Sequence, residues 1–125
     1  MSPRLTLALA ALPLAACQVQ MDEERDIRAP AIEVVGPAES CISLNAVRDT
    51  TVHDDYTIDF HMAGDKVYRN TLDGRCPSLG FEESFTYSTS LNRLCNTDII
   101  YVLYTDGTRG AGCGLGEFLP VKINK

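Results

Sequence analysis

Residues 56–62 decide the fold class, and they read Tyr56-Thr57-Ile58-Asp59-Phe60-His61-Met62. The large apolar side chains occupy the even positions and the polar ones the odd positions. Successive side chains of an extended chain point to opposite faces, so this alternation predicts a β-strand with one buried and one polar face.

Other short segments on both sides of residues 56–62 show an extended pattern: residues 42–44, 67–72, 81–87, 99–104 and 115–121. Turn-forming residues separate them, namely Gly64-Asp65, Asp73-Gly74, Asp106-Gly107 and the glycine-rich stretch 110–116. The run IIYVLY at 99–104 predicts a central strand that is buried on both faces or curled into a barrel. About six strands without a convincing helix predict an all-β fold, a small antiparallel barrel or sandwich.

One strand pairing follows from the pattern. Segments 56–62 and 67–72 are predicted to form a hairpin around Gly64-Asp65. A slip of one residue would turn a whole face over, so we expect an odd-length loop or a bulge that gathers the large apolar side chains on one face. In that register Met62 lies opposite Tyr68 and Ile58 lies opposite Leu72.

Four cysteines fall within this β region, and they are Cys41, Cys76, Cys95 and Cys113. Their wide spacing does not fit a zinc knuckle or a redox motif, whereas an even number in an exported chain predicts two structural disulfides. The spacing leaves the connectivity open. We favour a nested pattern, Cys41–Cys113 with Cys76–Cys95, because it would tie the two ends of the domain together.

The same region resembles a family of small secreted proteobacterial proteins that is known only as a domain of unknown function. The matching elements are Cys41-Ile42, residues 54–60, residues 68–72, Cys76-Pro77-Ser78-Leu79, residues 94–98 and Cys113-Gly114-Leu115. The resemblance covers about residues 41–119, and its most distinctive part is the Cys-Pro-x-Leu element. It implies a secreted β domain and supplies no catalytic or ligand-binding residue.

The N-terminus indicates where the protein resides. Arg4 precedes about a dozen mainly apolar residues, which is typical of a secretory signal and too short to span a bilayer. The signal ends in Leu14-Ala15-Ala16-Cys17, which resembles the lipobox of bacterial lipoproteins. The resemblance implies that Cys17 receives a diacylglycerol and becomes the new N-terminus. With Gln18 rather than aspartate in second place, it also implies sorting to the outer membrane of a Gram-negative cell.

The sequence therefore divides into a signal peptide (1–16), a lipidated and flexible acidic tether (17–40) and a disulfide-bonded β domain (41–125). Removal of residues 1–16 removes Arg4 and no acidic residue, leaving 10 basic and 17 acidic side chains. This negative charge argues against nucleic acid as a partner, since phosphate binding needs clustered cations.

Few residues suit chemistry. Asp59 and His61 share one strand face, with His53 just upstream, so these three are candidates for a weak metal site. We interpret that face as solvent-exposed strand surface, with no metal and no cofactor. The paired carboxylates Asp54-Asp55 and Glu82-Glu83 point apart on a strand and fit a solubilising surface.

The remaining motifs do not match known catalytic or cofactor-binding patterns, so we interpret them as parts of the fold. Gly110, Gly112, Gly114 and Gly116 do not fit dinucleotide-binding spacing and are interpreted as a flexible turn beside a disulfide. Ser78 lacks the preceding glycine of a hydrolase nucleophile elbow. The five tyrosines Tyr56, Tyr68, Tyr87, Tyr101 and Tyr104 are candidates for a binding face and are interpreted as core.

The function expected from the sequence is that of a non-enzymatic, lipid-anchored envelope protein that binds or supports another envelope component. An inhibitor of a periplasmic enzyme is the alternative, followed by a weak metal-binding protein. A flat or apolar exposed sheet face would favour the binding module, a protruding side chain on a loop the inhibitor, and a polar pocket with both histidines the metal site.

We predict that Cys17→Ser releases the protein into the soluble periplasmic fraction or stalls its processing, because the thiol is the group that accepts the lipid. Cell fractionation and intact-mass measurement check this. A Cys17→Ser protein that matures and sediments with the membrane as wild type does would disprove lipidation at Cys17.

Overall fold

The computed structural model describes residues 28–124. The predicted signal peptide, Cys17 and residues 18–27 of the predicted tether lie outside the described residues. Within the described part, no helix is long and apolar enough to cross a bilayer.

The described chain forms ten β-strands with one turn of 3-10 helix and one turn of α-helix. In chain order the elements are β1 (Ile32–Val34), β2 (Cys41–Ser43), the 3-10 turn (Leu44–Ala46), β3 (Val47–Val52), β4 (Thr57–Met62), β5 (Val67–Thr71), α1 (Leu79–Glu82), β6 (Phe85–Tyr87), β7 (Arg93–Cys95), β8 (Ile99–Leu103), β9 (Arg109–Gly114) and β10 (Phe118–Ile123). The predicted all-β, antiparallel class with two disulfides is confirmed, although the strands are ten rather than about six.

The strands form three antiparallel sheets. The largest has the order β1-β10-β5-β4-β3, a second has the order β6-β8-β9, and β2 pairs with β7 alone. Phe60 of β4 contacts Phe85 of β6 edge to face, with ring centroids 6.2 Å apart, and Phe118 of β10 at 5.4 Å. The five-stranded and three-stranded sheets therefore face each other across one apolar core.

The β4–β5 hairpin has the predicted odd-length loop, with Met62 N donating to Lys66 O at 2.7 Å. Phe60 lies opposite Tyr68, so the large apolar side chains share one face as predicted. The residue pairs differ, since Ile58 lies opposite Asn70 rather than Leu72. The prediction placed the register two residues away, a shift that preserves the faces because the side-chain period is two.

Two other strand predictions need correction. β8 is the central strand of its sheet, but only Ile100 and Val102 are buried, and Ile99 is 44% exposed on the opposite face. Phe81 belongs to the α1 turn rather than to a strand. The sequence pattern did not predict either point because it shows that a residue is apolar and does not show whether other elements bury it.

The tether prediction fails over its last part. Residues 32–34 form β1, which pairs with β10 through Ile32–Ile123 and Val34–Val121. Glu39 and Phe118 then exchange backbone hydrogen bonds, 2.8 Å each. The folded domain thus includes residues upstream of 41, because β10 offers an edge that the short strand β1 covers.

The disulfides join Cys41 to Cys95 and Cys76 to Cys113, so the predicted nested connectivity is wrong. The reason is strand pairing. Cys41 and Cys95 lie directly opposite each other in the β2–β7 pair, with Cα atoms 4.0 Å apart. The second bridge ties the segment before α1 to strand β9.

The two bridges close segments with sequence separations of 54 and 37 residues. Loop closure of this length restricts the unfolded chain, which stabilises the folded protein by about 4 kcal/mol per bridge.

We predict that the double variants Cys41→Ala/Cys95→Ala and Cys76→Ala/Cys113→Ala each lower the melting temperature by more than about 10 °C. Thermal denaturation measures this, and unreduced peptide mapping checks the pairing; a Cys41–Cys113 peptide would contradict it.

Candidate functional site

The outer face of the five-stranded sheet carries a buried ion pair. Asp59 on β4 lies directly opposite Arg69 on β5. Arg69 Nε and Nη2 donate to the two carboxylate oxygens of Asp59 at 2.8 and 3.0 Å. The Asp59 side chain is completely buried. Asp59 is therefore not part of a solvated strand face, and the sequence interpretation of that face is wrong at this position.

The segment that precedes β1 closes over this pair. Arg69 Nη1 donates to the backbone carbonyl of Pro30 at 2.8 Å. The backbone amide of Arg28 donates to Asp54 Oδ2 at 2.9 Å. Residues 28–31 are thus held across the outer face of the sheet by two hydrogen bonds, each with one charged partner.

The two histidines bind different partners. His53 Nε2 lies 2.7 Å from Asp59 Oδ2, and His61 Nε2 lies 2.9 Å from Thr51 Oγ1. Two clefts on the described surface, of about 470 and 640 Å³, are lined by His61, and His53 lines neither of them. Among residues 28–124 there is no group of three or more potential metal-ligating side chains.

The electrostatics of Asp59 follow from its partners. Burial raises the pKa of the Asp59 carboxyl, but hydrogen bonds from Arg69 and His53 and their charges outweigh burial, so its pKa lies below the ordinary value of 3.8. A carboxylate with both oxygens engaged is poorly suited to act as a base or to take a metal ion. The arrangement is suited to holding chain segments together.

The paired carboxylates Asp54-Asp55 also hold chain segments. They lie in the connection between β3 and β4. Asp54 is buried, and its Oδ1 accepts from Tyr56 N at 2.8 Å, so it is not the solubilising surface residue expected from the sequence. Asp55 accepts from Gly80 N through Oδ1 and from Arg75 Nε through Oδ2.

The glycines predicted to form a flexible turn lie instead in or just beyond a strand. Gly110, Gly112 and Gly114 belong to β9, and Gly116 exchanges two hydrogen bonds with the buried Asn70 side chain. A Cβ on Gly112 would lie 2.9 Å from the Tyr101 ring, and one on Gly110 would lie 2.6 Å from the Tyr104 ring. Gly112 and Gly110 of β9 are therefore the positions at which the rings of Tyr101 and Tyr104 approach the β9 backbone closely.

This arrangement produces a flat apolar surface, which we call the β8 face. It comprises Ile99, Tyr101 and Leu103, which alternate with the buried residues of β8, and the bare backbone of Gly112 and Gly114 opposite them. Arg109 lies over the Tyr101 ring at 5.2 Å from its centroid. Of the five tyrosines, Tyr56 and Tyr68 are core as interpreted, while Tyr101 contributes to a partly exposed face.

A second exposed apolar feature is the turn α1. Its flanking residues Ser78 and Glu83 have left-handed backbones, with φ of 69° and 53°. Leu79 and Gly80 are buried, whereas Phe81 is 86% exposed. Conformations that cost non-glycine residues energy persist where surrounding contacts fix them, so this turn is a constrained element that presents one aromatic ring.

Comparison of the chain with protein-family models, curated proteins and solved structures finds no match. Functional inference therefore rests on the geometry of the chain itself.

We predict that Asp59→Asn destabilises the protein by about 3 kcal/mol at pH 7, because it leaves Arg69 buried without its counter-charge. The stability that Asp59 contributes is fully present above its unfolded pKa of about 3.8 and is lost as the pH falls through the lower folded value. The gap between wild type and Asp59→Asn should thus shrink below pH 4.

Urea unfolding at pH 7, 5 and 3 measures that gap. Asp73→Asn is the matched control, since Asp73 is exposed and its substitution should leave stability nearly unchanged. A gap that stays constant from pH 7 to pH 3 would show that the Asp59–Arg69 pair does not stabilise the fold as described.

Proposed function

We propose that this protein is a non-enzymatic binding module of the cell envelope, anchored through a lipid on Cys17, which holds another envelope component against the β8 face. The observation that carries the proposal is the exposure of Ile99 and the partial exposure of Tyr101 on a flat sheet surface. Apolar and aromatic side chains that stay outside a core mark interaction surfaces.

The β8 face suits recognition of an apolar protein surface. Tyr101 and Ile99 already lie against Gly112 of β9, so binding costs little side-chain entropy at these two residues. Arg109 lies over the Tyr101 ring and Thr86 lies opposite Tyr101 on β6, so polar groups adjoin the apolar side chains, as they do in non-obligate interfaces. A lipid anchor supports such a role by raising the concentration of the module near membrane-associated partners.

The polar cluster of His53, Asp59 and Arg69 serves the fold in this proposal and takes no part in catalysis. Replacement of His53 and His61 by alanine should leave partner binding intact. The expected cost of that double variant is a modest loss of stability, because His53 hydrogen-bonds to Asp59.

The test is capture of the partner by crosslinking in intact cells with Ile99→Glu. A charge in place of Ile99, the most exposed apolar side chain of the β8 face, should weaken binding by at least about 30-fold, corresponding to about 2 kcal/mol, without lowering the melting temperature. Thr50→Glu, on the exposed edge strand β3 of the other sheet, is the matched control and should retain the partner.

Recovery of the same partners by Ile99→Glu and wild type would refute the β8 face as the binding surface. A captured periplasmic enzyme whose activity falls on binding would identify the module as an inhibitor, the alternative that the protruding Phe81 ring on the α1 turn favours.

A further inference from the structure

The exposed Phe81 ring and the entry point of the N-terminal chain lie at the same end of the domain. Arg28 is the first described residue, and its amide binds the Asp54 carboxylate. The backbone of Asp54 packs against Gly80, where an added Cβ would lie 3.0 Å from two Asp54 atoms. Asp54 therefore contacts both the N-terminal chain, at Arg28, and the α1 turn, at Gly80.

The turn is fastened to that end by further contacts. Gly80 N donates to Asp55 Oδ1 at 2.8 Å, and Cys76 N donates to the Asp55 carbonyl at 2.9 Å. The Cys76–Cys113 disulfide ties the same segment to β9. Phe81 cannot fold back into the core without breaking these contacts, because Leu79 already occupies the core position of the turn.

The chain outside the described residues limits how far this end lies from the anchor. Eleven residue steps separate Cys17 from Arg28, and a fully extended chain covers at most about 40 Å in that length. A lipid on Cys17 would therefore hold the end of the domain that carries Phe81 within about 40 Å of the bilayer.

We propose that Phe81 is a second membrane contact, inserting its ring into the interfacial region of the bilayer to which Cys17 is attached. The inference rests on the lipid anchor of the proposed function. Aromatic rings are favoured at the membrane interface, and a rigid turn presents the ring without loss of backbone freedom. The contact makes the end of the domain that carries α1 the end that faces the bilayer.

The charges around the ring define the preferred surface. Glu82 and Glu83 follow Phe81 directly, the nearby cation Arg75 is paired with Asp55, and residues 17–125 are acidic overall. Negative charge is repelled by anionic lipid headgroups, so the turn fits a zwitterionic surface. The occupant is therefore a bilayer rich in uncharged lipid.

The chain contains no tryptophan, so Phe81→Trp introduces a single fluorescent reporter. Residues 17–125 carrying this change are coupled through the Cys17 thiol to vesicles of phosphatidylcholine that contain a maleimide lipid. We expect the fluorescence of the indole introduced at position 81 to shift to shorter wavelength on coupling and to be quenched by lipids brominated on the acyl chain. Inclusion of anionic lipid should reduce both effects.

Leu91→Trp is the matched control. Leu91 is 59% exposed and precedes Asn92, whose carbonyl accepts from Leu44 N in the 3-10 turn. That turn contacts the β4–β5 hairpin through the bond from Ala63 N to Ala46 O. Leu91 thus lies near the opposite end of β4, about 20 Å away from the Asp54 end, and an indole at position 91 should keep its water-exposed emission.

Equal shifts at both positions, or water-exposed emission from the indole at position 81 on the vesicle, would overturn the proposal. A photoreactive side chain at position 81 that labels an envelope protein instead of lipid in cells would do the same and would assign Phe81 to a protein partner. Chemical coupling makes these results independent of whether the cell lipidates Cys17, and Ile99→Glu tests the β8 face separately.

Discussion

The buried pair of Asp59 and Arg69 is the constraint on which the rest of the architecture depends. Two charges on the outside of a sheet can be buried only if other groups cover them and satisfy the remaining donors. His53 and the carbonyl of Pro30 supply those groups. The chain before β1 is therefore held on the sheet rather than free in solution, and the point at which it reaches the domain is fixed.

A second constraint comes from the glycines of β9. Gly112 and Gly114 have no side chain opposite Tyr101 and Ile99, so the β8 face is formed by the apolar side chains of β8. Together the two constraints give the domain distinct regions. The Asp54 end receives the chain that precedes β1 and carries Phe81, while the β8 face lies on the other sheet with Ile99 exposed.

The sequence predicts the parts of this fold that depend on local pattern. The alternation in residues 56–62 correctly identifies β4 and its apolar face, and the cysteine count correctly gives two disulfides. The sequence does not predict contacts between residues that are far apart in the chain. The pairing of Cys41 with Cys95 follows from the β2–β7 register, and β7 has only three residues. The burial of Asp59 depends on Arg69 and Pro30, and no spacing rule connects Pro30 to position 69.

The exposed features escape prediction for a related reason. Phe81 and Ile99 have the composition of core residues, so pattern assigns them to buried faces. Their exposure results from the left-handed residues around α1 and from the absence of a further layer over β8 in the described chain. The sequence identifies Phe81 and Ile99 as large apolar residues, but only the fold determines whether they are buried or exposed.

Amide hydrogen exchange of the chain around β1 tests whether the buried Asp59–Arg69 pair holds this segment on the sheet. The Arg28 amide binds Asp54, the Val35 amide binds the Pro120 carbonyl, and the Asn124 amide binds the Ala31 carbonyl. We expect these amides to exchange far more slowly than in an unstructured peptide, and Asp59→Asn to speed their exchange more than that of the β8 amides. Exchange of all three at unstructured rates in a protein whose β4 amides are protected would contradict it.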